Sequence, residues 1–463
     1  MSSTTSIHGM WSSRLAFILA ATGSAVGLGN IWRFPYTAGE FGGGAFVLVY
    51  LLCVAAIGIP IMMAEIMLGR RGRQSPINTM CTLAKREGAT PAWQLLGWVG
   101  ILAGFLILSF YSVIAGWTLA YVVQAGSGDF SGINADASAA FFGDLVGDPA
   151  RLLTWHTLFM IMTVLVVARG VASGLEKAVQ FLMPALFLLL LIMVIYAWQA
   201  GDFGAAWVYM FQPDFAKLEA HAGEAMLSAM GQAFFSLSLG MGAIMIYGSY
   251  LSSQASIGRN VVIIAGMDTL VALLAGMAIF PIVFANGLEP GSGPGLIFQT
   301  LPIAFGQMPG GSLFGTLFFV LLVFAAWTSG ISLLEPMVAW LVESREFGRP
   351  LAAILAGIAV WLLGIACLLS LNLWSEFTVW GMGILDLFDY ITANVLLPLG
   401  GVAIALFAGW VMHRQSSEQE FNLKPGSPFY LLWRLLIRYL APISVILVFL
   451  DAVGFLDIII EWI

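Results

Sequence analysis

Long apolar runs separated by short polar stretches set the pattern of this chain. Spans of membrane-crossing length can be drawn roughly eleven times, at 13–38, 42–70, 93–124, 153–170, 176–199, 223–250, 256–286, 312–343, 350–371, 380–412 and 429–461, since about 20 apolar residues suffice for a helix to cross the hydrocarbon of a bilayer. Span 11 is the least regular, because Trp433, Arg434 and Arg438 crowd its start. Two runs are interrupted. In span 1, Gly23, Gly27 and Gly29 fall within seven positions, beside Ser24 and Asn30. In span 6, Gly240 and Gly242 follow Ser236 and Ser238 in QAFFSLSLGMGA. One glycine costs a helix interior roughly 1 kcal/mol relative to alanine, so the clusters predict that both helices unwind. Unwound backbone at membrane depth must face a cavity, a ligand or other protein. It offers a positive helix end to an anion and free carbonyls to a cation. The two interruptions lie five spans apart, which predicts an inverted repeat of five spans each around a midplane site for a small carboxylate and sodium.

Composition narrows the class. The 463 residues are 60% hydrophobic and 9% charged, with a mean hydropathy of +0.95, whereas soluble chains carry roughly 25% charged residues. The spans lack the alternating pattern of about ten residues that a β-barrel needs. The chain therefore reads as an all-α polytopic membrane protein. No basic patch exists for nucleic acid, and Cys53, Cys81 and Cys367 imply no disulfide framework. The first apolar run is too long for a signal-peptide core, so no cleavage is expected.

Basic residues set the orientation. Arg70, Arg71, Arg73, Lys85, Arg86, Arg169, Lys177, Arg259, Arg345, Arg349, Arg414, Lys424 and Arg434 share one side if the N-terminus is cytoplasmic; the other loops carry acids such as Asp129, Asp144, Asp202 and Glu289. An odd span number then leaves the C-terminus outside. Residues 285–311 form an external Gly/Pro-rich segment too apolar for a free linker, which is expected to fold back over an outer vestibule; a plain surface loop is the alternative. Intramembrane acids are functional candidates by default. Asp268 sits in span 7, and Glu65 in span 2 is expected to accept backbone N–H groups freed by the break in span 6. A proton relay through Glu65 is disfavoured, with no histidine placed in a span to partner it.

The stretches GSAVGLGNIWRFPY (23–36), GGGAF (42–46), GIPIMMAEIMLGR (58–70), QAFFSLSLGMGA (232–243) and AAWTSG (325–330) resemble the neurotransmitter:sodium symporters over nearly the whole chain, in an eleven-span bacterial branch. The resemblance implies a 5+5 inverted-repeat, leucine-transporter-like fold: a cytoplasmic tail at 1–12, repeats at 13–199 and 223–412, and an additional helix at 429–461. It implies a sodium-coupled symporter of amino acids in a bacterial cytoplasmic membrane, with two sodium ions and no catalytic residues. The first sodium site would use Ala25, Asn30, Ser236, Asp268 and the substrate's carboxylate; the second would use Gly23, Val26, Ala325, Thr328 and Ser329. Packing of small residues is the plainer reading of Thr328–Ser329 taken alone. Relatives usually carry asparagine at the position of Asp268, and chloride-dependent ones a serine at that of Ala272. A fixed carboxylate in place of chloride implies chloride-independent transport.

The same resemblance places Leu28 and Gly29 amides and the Tyr111 hydroxyl on the carboxylate, and carbonyls of Ala25, Phe235 and Ser238 on the amine. Ile107, Phe235, Met241, Ser329 and Leu333 form a mainly apolar pocket, favouring hydrophobic or aromatic L-amino acids; Met241 between two glycines would let it adjust. Outer gating would join Arg33 to Asp389, or to Asp386 one turn away, under a lid of Tyr111 and Phe235. The inner side departs from the pattern: relatives carry an arginine at the position of His8, opposite an acid corresponding to Glu343. Either His8 or Arg14 substitutes, or the inner gate is weaker or pH-sensitive. A monomer suffices for the site, and a dimer is left open. The competing readings are a non-transporting amino-acid sensor with the same pocket, an intramembrane enzyme and a channel. The four histidines show no metal-ligand spacing, no nucleotide-binding fingerprint is present, and no pore-lining repeat is seen.

Overall fold

A computed structural model describes residues 6–290, 293–424, 426–452 and 454–455. Among these residues the architecture is helical, with two isolated β-bridges, Gly43 with Pro213 and Val379 with Met382. Nine helices among the described residues are long and apolar enough to cross a membrane: Gly44–Gly72, Pro91–Ser127, Pro149–Ala168, Val171–Ala200, Ile257–Ala285, Gly311–Arg345, Arg349–Leu369, Ile384–Val411 and Pro428–Asp451. They coincide with spans 2–5 and 7–11. Span 1 is a bent pair, Arg14–Ala25 and Gly29–Glu40, turning by 63° at its break. Span 6 consists of two shorter helices, Ala222–Ser236 and Ala243–Ser249. The expected end of span 11, at 461, lies outside the described residues.

Burial is uneven among the long spans: the window of span 8 is 78% buried and those of spans 2, 3 and 7 are 61% buried, against 33% for spans 5 and 11. Close approach of spans 2 and 6 depends on glycine. A Cβ on Gly69 of span 2 would overlap the Met245 carbonyl oxygen in the inner half of span 6, and one on Gly248 would lie 2.8 Å from Ile66. Gly69→Ala should therefore force the two helices apart and destabilise the protein by about 1–3 kcal/mol. A thermal unfolding series in detergent checks this, with Gly266→Ala, at a site open on all sides, as the control.

Three expectations need correction. Span 1 stays helical through Ala25, so Gly23 is not in the break, which is confined to Val26 and Gly27. Span 4 begins at Pro149, four residues early, because Asp148 caps it by accepting from the Ala150 and Arg151 amides and proline is preset for a first turn. Finally, His156 does lie in a span: it is buried in span 4, with Nε2 3.2 Å from the Trp361 carbonyl. No hydrogen bond or ion pair joins it to Glu65 among the described residues.

The crowded start of span 11 is also explained. Trp433 is buried and donates to the Pro60 carbonyl at 3.1 Å, while Arg438 donates to the Gly409 carbonyl at 2.6 Å and lies over the Trp410 ring. These side chains tie span 11 to spans 2 and 10. The segment after span 7 does fold back onto the bundle: Leu296, Ile297 and Phe298 are fully buried, Tyr121 donates to the Phe298 carbonyl at 2.8 Å, and Phe298 packs edge-on to Trp32 and Trp117.

Candidate functional site

The break in span 1 is closed off by its own asparagine. Val26 leaves the helix with extended backbone, and Asn30 Oδ1 accepts the Gly27 N–H at 3.0 Å. Leu28 and Gly29 then open the second helix, where first-turn N–H groups lack intrahelical acceptors. A Cβ on Gly27 would come to 3.2 Å from Ser329 Oγ and 3.4 Å from the Tyr111 hydroxyl, so both side chains would have to give way by a few tenths of an ångström. In span 6 the chain takes positive φ at Ser238, Gly240 and Gly242. Ser238 tolerates this rare conformation while its hydroxyl donates to the Ser24 carbonyl at 2.8 Å, linking the two breaks. Glu65 Oε1 accepts the freed Gly240 N–H at 2.6 Å.

Two oxygen clusters flank the breaks. In the first, Asn30 Nδ2 donates to Asp268 Oδ1 at 2.8 Å and to Ser236 Oγ at 2.9 Å, and the Ser236 hydroxyl donates to Asp268 Oδ2 at 2.5 Å. Asp268 is fully buried, and no basic side chain pairs with it among the described residues. In the second, Ser329 Oγ lies 3.4 Å from the Gly23 carbonyl, 3.0 Å from Val26 and 3.2 Å from Ala325. Thr328 Oγ1 is 3.1 Å from the Ala325 carbonyl. With the Ser24 carbonyl also 3.5 Å from Ser329 Oγ, one hydroxyl proton faces four carbonyls, whose dipoles converge on a small volume that could hold a hard cation. The second set is all oxygen, as such an ion requires, whereas in the first Asn30 turns its Nδ2 toward Ser236 and Asp268 and its Oδ1 toward the Gly27 N–H, so the expected Asn30 oxygen does not face that cluster.

Between the clusters lies a cavity of about 290 Å³. All ten residues expected to bind substrate line it: Ala25, Leu28, Gly29, Ile107, Tyr111, Phe235, Ser238, Met241, Ser329 and Leu333. Among the described residues the buried Tyr111 hydroxyl has no partner at full hydrogen-bond geometry, although the Ser329 hydroxyl and the Leu28 N–H lie near it, and a buried hydroxyl left so asks for one. The cavity continues outward to Pro294, Asp386 and Asp389. The expected outer gate is not joined: Arg33 sits 5.6 Å from the Phe235 ring centroid, no ion pair within 4.0 Å joins it to Asp389 or Asp386, and Tyr111 and Phe235 make no ring contact among the described residues.

The opposite end is sealed. The Trp11 amide donates to the Tyr250 carbonyl at 3.1 Å, its indole donates to the Tyr247 carbonyl at 3.0 Å, and all three side chains are buried. His8, not Arg14, meets Glu343, with Nε2 2.9 Å from Oε1; Arg14 donates instead to Asn260 Oδ1 at 2.6 Å. Sequence reasoning missed a further part of this seal. Glu335 is fully buried in span 8, pairs with Arg349, and accepts from the Tyr250 hydroxyl at 2.6 Å. Its signal was present, since it is an acid within an apolar run like Glu65 and Asp268. Ser12 likewise binds Glu176 through backbone and side chain.

Residues 8–131 and 143–457 match the Sodium:neurotransmitter symporter family. The uncharacterized sodium-dependent transporter YhdH of Bacillus subtilis is 39% identical over 96% of this chain and 98% of its own length. An uncharacterized sodium-dependent transporter of Haemophilus influenzae is 34% identical over 95% and 97%. Among solved structures, MhsT in complex with L-phenylalanine superposes with a TM-score of 0.87 at 44% identity, covering 96% of this chain and 99% of that one.

Proposed function

The chain belongs to the sodium:neurotransmitter symporter family, and on that footing we propose that it is a sodium-coupled symporter of hydrophobic and aromatic L-amino acids, working by alternating access. The observation that carries this reading is the meeting, in one cavity, of the buried Tyr111 hydroxyl, the helix opening at Leu28–Gly29 and two oxygen clusters. A substrate carboxylate placed between Tyr111 and Gly29 lies beside the Asn30–Ser236–Asp268 cluster. It then serves as a ligand of the first sodium ion, and each raises the affinity of the other. Gly23, Val26, Ala325, Thr328 and Ser329 hold the second ion. The walls support an apolar substrate side chain, and a relative of this fold is solved with L-phenylalanine.

Asp268 supplies a fixed negative charge, so chloride is not required. Closure of Arg33 onto Asp389, with the Tyr111–Phe235 lid, and release of the seal around Trp11 complete the cycle. The repeats run 13–199 and 223–412 with 429–461 appended, and a monomer suffices. The basic loops place the N-terminus in the cytoplasm of a bacterial cell and the C-terminus outside.

The test is uptake of a panel of labelled amino acids into proteoliposomes, with sodium and chloride replaced separately. Accumulation of phenylalanine, leucine or tryptophan that needs sodium and ignores chloride is the expected result. Uptake indifferent to replacing sodium with potassium, or sodium-linked binding without accumulation, overturns the reading.

A further inference from the structure

We propose that His8 is the titratable half of the inner closure, so that proton concentration on the N-terminal side sets how readily the site opens to that side. The cavity stops short of Trp11, Tyr247 and Tyr250. Any path from it to the N-terminal face must lift the tail that these residues hold, and His8 with it.

The pair that holds this tail is shut away from water, with the side chains of His8 and Glu343 only 2% and 5% exposed. Glu343 is kept as an acceptor by donors from the connection after span 2: the Ser75 N–H at 2.7 Å, the Ser75 hydroxyl at 2.6 Å and Asn78 Nδ2 at 2.8 Å. The basic side chain within 4.0 Å of Glu343 among the described residues is His8. Neighbouring cations are engaged elsewhere. Arg73 and Arg86 line a cavity of about 330 Å³ that reaches Glu343, but Arg73 donates to the Ser249 and Leu251 carbonyls and Arg86 to the Arg71 carbonyl. From span 6, the Tyr250 ring stands edge-on to His8 at 6.0 Å, with its hydroxyl on Glu335, which Arg349 neutralises. On its own segment, His8 N donates to Ser6 Oγ at 3.4 Å. Of all these groups, imidazole is the one that ordinarily changes charge near neutral pH.

The sign follows from the geometry. In the closed state the imidazolium gains a carboxylate partner, which it loses when the tail lifts. Protonation of the imidazole therefore favours closure, and loss of that proton removes the ion pair and its stabilisation. Acid on the inner side slows opening, and alkali speeds it.

The experiment rests on the transport reading for its readout. Sodium-driven uptake of L-phenylalanine is measured in proteoliposomes with the outer pH fixed and the lumen varied between about pH 5.5 and 8.5, the range of imidazole titration. Sidedness is assigned by protease removal of an N-terminal tag. Wild-type uptake through carriers with the N-terminus in the lumen should rise roughly twofold to fivefold from acid to alkaline lumen, the scale of one ion pair. His8→Arg, charged throughout, should be slow and flat; His8→Gln, never charged, should be fast and flat. A flat wild-type profile, or a His8→Gln profile with the wild-type slope, overturns the proposal. If His8→Gln does not fold, wild type and His8→Arg still decide. Absence of uptake at every lumen pH refutes the transport reading instead.

Discussion

Asp268→Ala should abolish sodium-driven uptake, raising the sodium concentration for half-maximal transport at least about 100-fold. Asp268 is fully buried, accepts from Asn30 and Ser236, and pairs with no basic side chain among the described residues. A carboxylate buried in this way is stable as an anion only beside a cation, and on the proposed reading that cation is the transported sodium. Deleting one partner of a buried charge pair costs about 3–5 kcal/mol, and each 1.4 kcal/mol is tenfold in affinity. Asp268→Asn separates charge from shape, since the amide keeps the volume and loses the charge. It should lose sodium affinity and, combined with Ala272→Ser, gain stimulation by chloride. Tracer uptake against sodium concentration, with chloride replaced by gluconate, reads both effects. An Asp268→Asn protein with unaltered sodium dependence removes this residue from the ion's coordination.

The double substitution Thr328→Val with Ser329→Ala should weaken sodium-driven uptake by a similar factor for a different reason. Here the charge remains and two hydroxyls are lost. The Gly23, Val26 and Ala325 carbonyls still converge, but the shell is short by two oxygens. Hydrogen bonds and ligand contacts to charged groups contribute about 1.5–3 kcal/mol each, so losing both predicts roughly a 100-fold or larger shift. Thr328→Ser with Ser329→Thr keeps both hydroxyls and should retain much of the activity. Sodium-induced thermal stabilisation in detergent supplies a second readout, independent of transport. Equal sodium dependence in the double variant and wild type would return Thr328 and Ser329 to the plainer role of helix packing.

The structure bears on regions of the chain unequally. Both breaks were legible because clustered glycines and small polar residues are expensive inside an apolar run. The buried acids were legible because charge is rare there, and the same criterion applied to Glu335 would have exposed its pairing with Arg349. His8 was ambiguous: two cations, His8 and Arg14, lay within six residues of each other on the tail, and only packing assigned one to Glu343 and the other to Asn260. The outer gate was visible as residue types, but whether Arg33 meets Asp389 or lies against Phe235 depends on how far the spans have closed.

The sequence by itself determined what must be buried and where regular backbone must fail, because hydrophobic period, chain length and glycine content act locally along a helix. It thereby determined the nine described helices long and apolar enough to cross a membrane and the bend in span 1. Only the tertiary structure decided which carbonyls converge on Ser329, which donors hold Glu343, and that the cavity runs toward Asp389 while Trp11 seals the other end. Those are relations between residues hundreds of positions apart, fixed by helix packing at contact distance, and no local pattern encodes them.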